Sequence, residues 1–120
     1  MRRTVLVVDD HESFRRFARK LLESAGFTVL DEAADGASAV EAVRRLRPEV
    51  VLLDVLLPDT TGFDVAERLS AEPAEPIVVL TSSRRAGEFS SSLARSSARG
   101  FITKSDLTPA ALTALVGEAA

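Results

Sequence analysis

One stretch, Val50–Pro58, narrows the folds open to this chain more than any other. It reads V-V-L-L-D-V-L-L-P. Four apolar residues, Val50 to Leu53, run straight into Asp54. A continuous apolar run of this length suits a parallel strand buried on both faces. A buried carboxylate is costly unless it sits where a partner can reach it, so Asp54 belongs at the strand's carboxyl mouth. Pro58 cannot extend a paired ladder, and the chain turns there.

Three further runs repeat the pattern. Val5–Val8 leads into Asp9-Asp10, Ile77–Leu80 into Thr81, and Phe101–Thr103 into Lys104. A weaker run, Phe27–Leu30, ends in Asp31-Glu32 and reads as a strand nearer an edge. Helical patterns lie between the strands. His11–Ala25 places Phe14, Phe17, Ala18, Leu21, Leu22 and Ala25 on one apolar stripe, with Arg15, Arg16, Arg19, Lys20 and Glu23 on the wet face. Gly26 suits a left-handed helix end. Gly36 reads as a break, after which Ala39, Val40, Val43 and Leu46 mark a second helix that stops before Pro48. Phe63, Val65, Ala66 and Leu69 mark a third, ending before Pro73. Thr108 caps the last, with Pro109 at its first position and Leu112, Leu115 and Val116 facing inward. The segment Ser82–Arg99 must hold a crossover helix. Its many serines and Gly87 favour other states, so it is expected to be distorted and weakly held.

Strands alternating with helices give an α/β fold with a parallel sheet. Right-handed crossovers leave few topologies. Order 2-1-3-4-5, a flavodoxin-like doubly wound sheet with five helices, sets the first and third strands side by side. A length of 120 residues suits one domain spanning 1–120. Net charge is −3, a poor basis for direct nucleic-acid binding. There is no cysteine, hence no disulfide or thiolate metal site. No apolar run approaches the roughly 20 residues of a membrane span, and no signal-peptide stretch follows Arg2-Arg3. A cytoplasmic location fits these features.

In sheets of this kind ligands bind outside the carboxyl ends of the strands. That edge should collect Asp9, Asp10, Asp54, Thr81 and Lys104. Crowded carboxylates repel, by about 4 kcal/mol for a pair at 4 Å and an effective dielectric of 20. A hard divalent cation with oxygen ligands relieves this, and Mg²⁺ fits best. The metal invites a phosphoryl group. Lys104 would meet its charge, Thr81 would give a hydroxyl, and Asp54 can be the nucleophile. His11 reads as a solvated histidine at a helix start rather than a ligand. Arg84 and Arg85 read as a wet loop, and Phe14 and Phe17 as core.

These residues together resemble the receiver domain of two-component response regulators. The likeness runs over essentially the whole chain. It rests on Asp9-Asp10 after the first strand, Asp54 in D-V-L-L-P with Gly62 beyond, Thr81 after the fourth strand, and Lys104 three residues after Phe101. The resemblance implies a signalling switch rather than a conventional enzyme. Asp54 would accept a phosphoryl group from a sensor histidine kinase or phosphotransfer protein. Asp10 and Asp54 would touch Mg²⁺ directly, Asp9 would act through water, and the Leu56 backbone carbonyl would be a further ligand. Thr81 and Phe101 would form the switch. The fourth helix, fifth strand and fifth helix would form the output surface, and could carry a homodimer. Asp9-Asp10-His11 before a basic helix, and Ser105 after Lys104, look like the subfamily that often carries a helix-turn-helix output domain. The chain runs out at Gly117-Glu118-Ala119-Ala120, as a piece cut before such a domain would. Many family members have proline at the Ser105 position, so a cis peptide there lacks proline's help. A phosphate-ester hydrolase would want a second aspartate where Leu56 stands. All five key residues are present, which argues against a degenerate, non-phosphorylated receiver, and a phosphorylation assay decides between the two.

Overall fold

The computed structural model describes residues 3–117. The ends, Met1–Arg2 and Glu118–Ala120, lie outside the described residues, and so does most of the Gly117–Ala120 tail. Five strands, β1 (Thr4–Val8), β2 (Thr28–Ala33), β3 (Val50–Asp54), β4 (Ile77–Ser82) and β5 (Gly100–Thr103), alternate with five helices. These are α1 (Glu12–Ser24), α2 (Gly36–Leu46), α3 (Gly62–Ser70), α4 (Ser90–Arg95) and α5 (Pro109–Val116). All strand pairs are parallel, in the order β2-β1-β3-β4-β5.

Alternation along each strand divides the core into two. Leu6, Val8, Val51, Leu53 and Leu80 pack with Val40, Val43, Val65 and Leu69 of α2 and α3. Val5, Val7, Leu52, Val79 and Ile102 pack with Ala18, Leu22, Leu112 and Val116 of α1 and α5. All five residues of β3 are buried, as its apolar run requires.

Several expectations need correction. Phe17 is not core: it is 49% exposed. α1 buries only Ala18 and Leu22 completely, so the stripe is wider than the face the sheet can cover. Gly36 does not break the chain but begins α2. The Asp35 carboxylate caps that helix by accepting from the Ser38 amide, and Asp59, from the loop after β3, accepts from the amides of Gly36 and Ala37. β2 runs three residues past Leu30, to Ala33. Its polar residues Asp31 and Glu32 are tolerated because β2 is an edge strand. The Lys104–Ser105 peptide is trans, like every described peptide.

The segment between β4 and β5 is distorted, as expected. A single 3₁₀ turn, Ala86–Phe89, precedes the six residues of α4. Its apolar attachments are Phe89, Leu93 and Ala98. Phe89 sits between two other rings, Phe63 of α3 at 5.9 Å and Phe101 of β5 at 6.1 Å between centroids.

Candidate functional site

Strand register builds the site. β1 and β3 are neighbours, Val8 pairing with Leu53, so Asp9 and Asp54 leave the sheet side by side. Asp54 pairs with Thr81 across β3 and β4. The ladders continue just past the strand ends, with the Asp9 amide donating to Ala33 O at 3.0 Å and the Val55 amide to Thr81 O at 2.9 Å. The site therefore stands on rigid elements. Gly62 keeps the returning chain close. Its amide donates to Val55 O at 2.6 Å, and a Cβ there would overlap the Asp54 carbonyl oxygen.

Lys104 reaches the acids from the end of β5. Its Nζ lies 2.6 Å from Asp9 Oδ2 and 3.3 Å from Asp54 Oδ2. The contact to Asp54 is a hydrogen bond. The shorter one is an ion pair that partners the fully buried Asp9 carboxylate. Thr81 is fully buried too, and its Oγ1 has no hydrogen-bond partner. A buried hydroxyl without a partner, beside two acids that share one ammonium, is what a site awaiting a ligand leaves behind.

Burial pushes the Asp54 carboxyl up from 3.8 to about 6, and Asp9 adds to that. Lys104 and the Leu56 amide, which donates to Asp54 Oδ1 at 3.3 Å, hold it back. Burial also opposes the charge on Lys104. The two aspartates outweigh that and hold the ammonium above its ordinary value.

Ligand atoms of Asp9, Asp10, His11 and Asp54 all lie within 4.8 Å of one another. Three hard carboxylates with oxygens this close together fit Mg²⁺. A cavity of about 200 Å³ opens beside them, with Leu56, Pro58, Ser82, Ser83 and Lys104 in its wall. His11 is exposed, as expected, but not free. Its Nδ1 lies 3.0 Å from Oδ1 of both Asp9 and Asp10. Phe101 is half-buried against the α2–α3 side of the core.

Two residues near the site escape a reading of the sequence. Arg15 belongs to the wet face by its spacing, yet its Nη1 donates to the Asp9 carbonyl at 2.7 Å while its Nε meets Glu32 at 3.1 Å. Arg19 holds the other Glu32 oxygen at 2.7 Å, and this hydrogen bond chiefly keeps the Glu32 carboxyl below its ordinary range. The signal for Arg15 is its place one turn into a helix that starts beside the acids. The other residue is Phe14, whose ring lies beneath the Lys104 ammonium.

Comparison with known proteins decides the family. The model of the response regulator receiver domain matches residues 5–116. The chain is a receiver domain of two-component response regulators. The DNA-binding response regulator MtrA of Mycolicibacterium smegmatis is 44% identical over 81 residues, covering 68% of this chain and 35% of MtrA. Among solved structures, the signal receiver domain of NarL from Mycobacterium tuberculosis superposes with a TM-score of 0.85 at 30% identity, covering 98% of each chain. The chemotaxis response regulator CheY4 of Vibrio cholerae does so with 0.82 at 25% identity, covering 95% of each. This receiver spans from 24% to 56% of the length of the curated relatives it matches most strongly. Receivers are signalling domains that work with histidine kinases or phosphotransfer proteins, and they generally use Mg²⁺ at their acidic pocket. No helix among the described residues is long and apolar enough to cross a membrane.

Proposed function

We propose that Asp54 is the phosphoacceptor of a phosphorylation-dependent switch, within a unit spanning 1–120. The donor is a phosphohistidine on a sensor kinase or phosphotransfer protein. An Asp54 carboxylate oxygen attacks phosphorus, the P–N bond breaks, and the leaving imidazole nitrogen keeps its electron pair. Asp10, Asp54 and the Leu56 carbonyl would hold Mg²⁺, with Asp9 acting through water, and the ion would supply charge neutralisation at the phosphoryl oxygens. Lys104 already lies on Asp54 and can transfer its ammonium to the new phosphoryl group. Thr81 has a buried hydroxyl with no competing partner to give up. Its movement frees space for the Phe101 ring, and the change reaches the α4-β5-α5 surface. The chain catalyses only its own phosphorylation and dephosphorylation. By analogy with MtrA, it is the receiver of a DNA-binding transcriptional regulator. It works in the cytoplasm, dimerises through α4-β5-α5 and makes no nucleic-acid contact of its own.

The observation that carries this reading is the convergence of Asp54, Lys104 and the unpartnered Thr81 hydroxyl at one sheet edge. Incubation with acetyl phosphate and Mg²⁺ should add one phosphoryl group by intact mass, and Asp54→Asn should abolish it. Full labelling of that variant would refute the assignment.

A further inference from the structure

The Lys104 ammonium has a third neighbour besides its two aspartates. Its Nζ lies over the Phe14 ring, 4.6 Å from the centroid, within the range of a cation–π contact. Phe14 is half-buried, and the exposed Phe17 packs against it with centroids 6.2 Å apart and planes tilted by 45°. The lysine side chain is only 16% exposed, so the contact is largely withdrawn from water, where such contacts are strongest.

We infer that Phe14 is a positioning residue for Lys104, its ring holding the ammonium at the mouth between Asp9 and Asp54. The inference rests on the phosphoacceptor reading of that mouth. A ring face attracts the cation without adding negative charge. A third carboxylate in its place would compete with the phosphoryl group for the lysine and repel the incoming anion. An aliphatic side chain would fill the space but leave the ammonium free to swing toward solvent. Lys104 must loosen its contacts to the aspartates when the phosphoryl group arrives. The ring stays, and keeps the charge in place through that exchange. Phe17 then has a function consistent with its exposure: it braces the ring that carries the lysine.

The test compares Phe14→Leu, which keeps the apolar bulk, with Phe14→Tyr, which keeps the ring. Two quantities are read: the proton shift of the Lys104 ε-methylene, and the rate of acetyl phosphate labelling at saturating Mg²⁺. In wild type and Phe14→Tyr the ε-methylene should resonate upfield, under the ring current. Phe14→Leu should lose that shift and label about fivefold more slowly, the size of one cation–π contact. Its Mg²⁺ affinity, by amide NMR titration, should stay within about twofold, because a phenyl ring offers the metal no ligand atom. Wild-type labelling by Phe14→Leu, or equal slowing in Phe14→Tyr, would overturn the inference. Should Phe14→Leu not fold, Phe14→Met gives the same contrast. If wild type takes no phosphoryl group at all, the phosphoacceptor reading fails, while an absent upfield shift in wild type refutes the Phe14 contact separately.

Discussion

Replacing Asp54 by asparagine should make the protein more stable at neutral pH. The carboxyl is held at about 6 against an ordinary 3.8, with burial as the chief cause and Asp9 the second. Its charge is therefore unfavourable in the folded state. A gap of about 2 between the two values corresponds to about 3 kcal/mol at 1.36 kcal/mol each. Solvent at the mouth of the site screens part of this, leaving about 1–2 kcal/mol. Linkage fixes the sign. Between about pH 4 and 6 the folded chain binds a proton at Asp54 that the unfolded chain has released, so this contribution to stability falls as pH rises through that window. Above it both states are ionised and the penalty is complete. Below it both are protonated and the penalty is gone.

An asparagine side chain has nearly the shape of aspartate and no charge, so the variant escapes the penalty. Its advantage should be about 1–2 kcal/mol at pH 7, shrinking toward zero near pH 4. For a chain of this length that is a rise in Tm of about 3–10 °C. Urea denaturation followed by far-UV circular dichroism suits the measurement, since the chain has no Trp or Tyr. Mg²⁺ should narrow the gap by stabilising folded wild type. A variant no more stable than wild type at pH 7, or an advantage unchanged at pH 4, would refute the claim that Asp54 carries buried, unfavourable charge.

Lys104→Ala should keep Mg²⁺ binding but lose most phosphorylation-induced amide shifts in NMR, since the lysine repels the metal and meets the phosphoryl group. Arg15→Met should free the Asp9 carbonyl and lower stability by about 1.5–3 kcal/mol in urea, the worth of a charge-assisted hydrogen bond. Gly62→Ala forces a methyl group onto the Asp54 carbonyl, and should destabilise by about 1–3 kcal/mol in the same assay. Amides of residues 83–97 should exchange with deuterium faster than those of α1, and phosphorylation should slow them.

The sheet is legible because strands buried on both faces must be written almost wholly in apolar residues. Where Val50–Leu53 and Ile77–Leu80 stop being apolar, the strand meets the site, so Asp54 and Thr81 mark themselves. The N-cap Thr108 with Pro109 is legible because its hydrogen bond, to the Ala111 amide, is local. What depends on distant partners is not. Gly36 looks like a break until Asp59, from another loop, satisfies the amides at the start of α2. Arg15 looks solvated until Glu32 and the Asp9 carbonyl arrive beside it. Periodicity identifies the apolar side of α1 but not how much of it the sheet covers, so Phe17 reads as core and is not. The lysine over Phe14 needs the entire fold to bring α1 and the end of β5 together.

The row of rings Phe63, Phe89 and Phe101 has a mechanical consequence. The 3₁₀ turn is otherwise exposed, and Phe89 is its peg in the domain. A peg gripped from both sides comes loose when either jaw opens. Phe101 is the jaw on the strand that carries Lys104 at its end, and Phe63 is the jaw on α3. Trimming Phe63 should therefore free the turn much as a displaced Phe101 would, with no change at the acidic mouth. Sensitivity of the switch can then be tuned from α3, leaving the chemistry untouched.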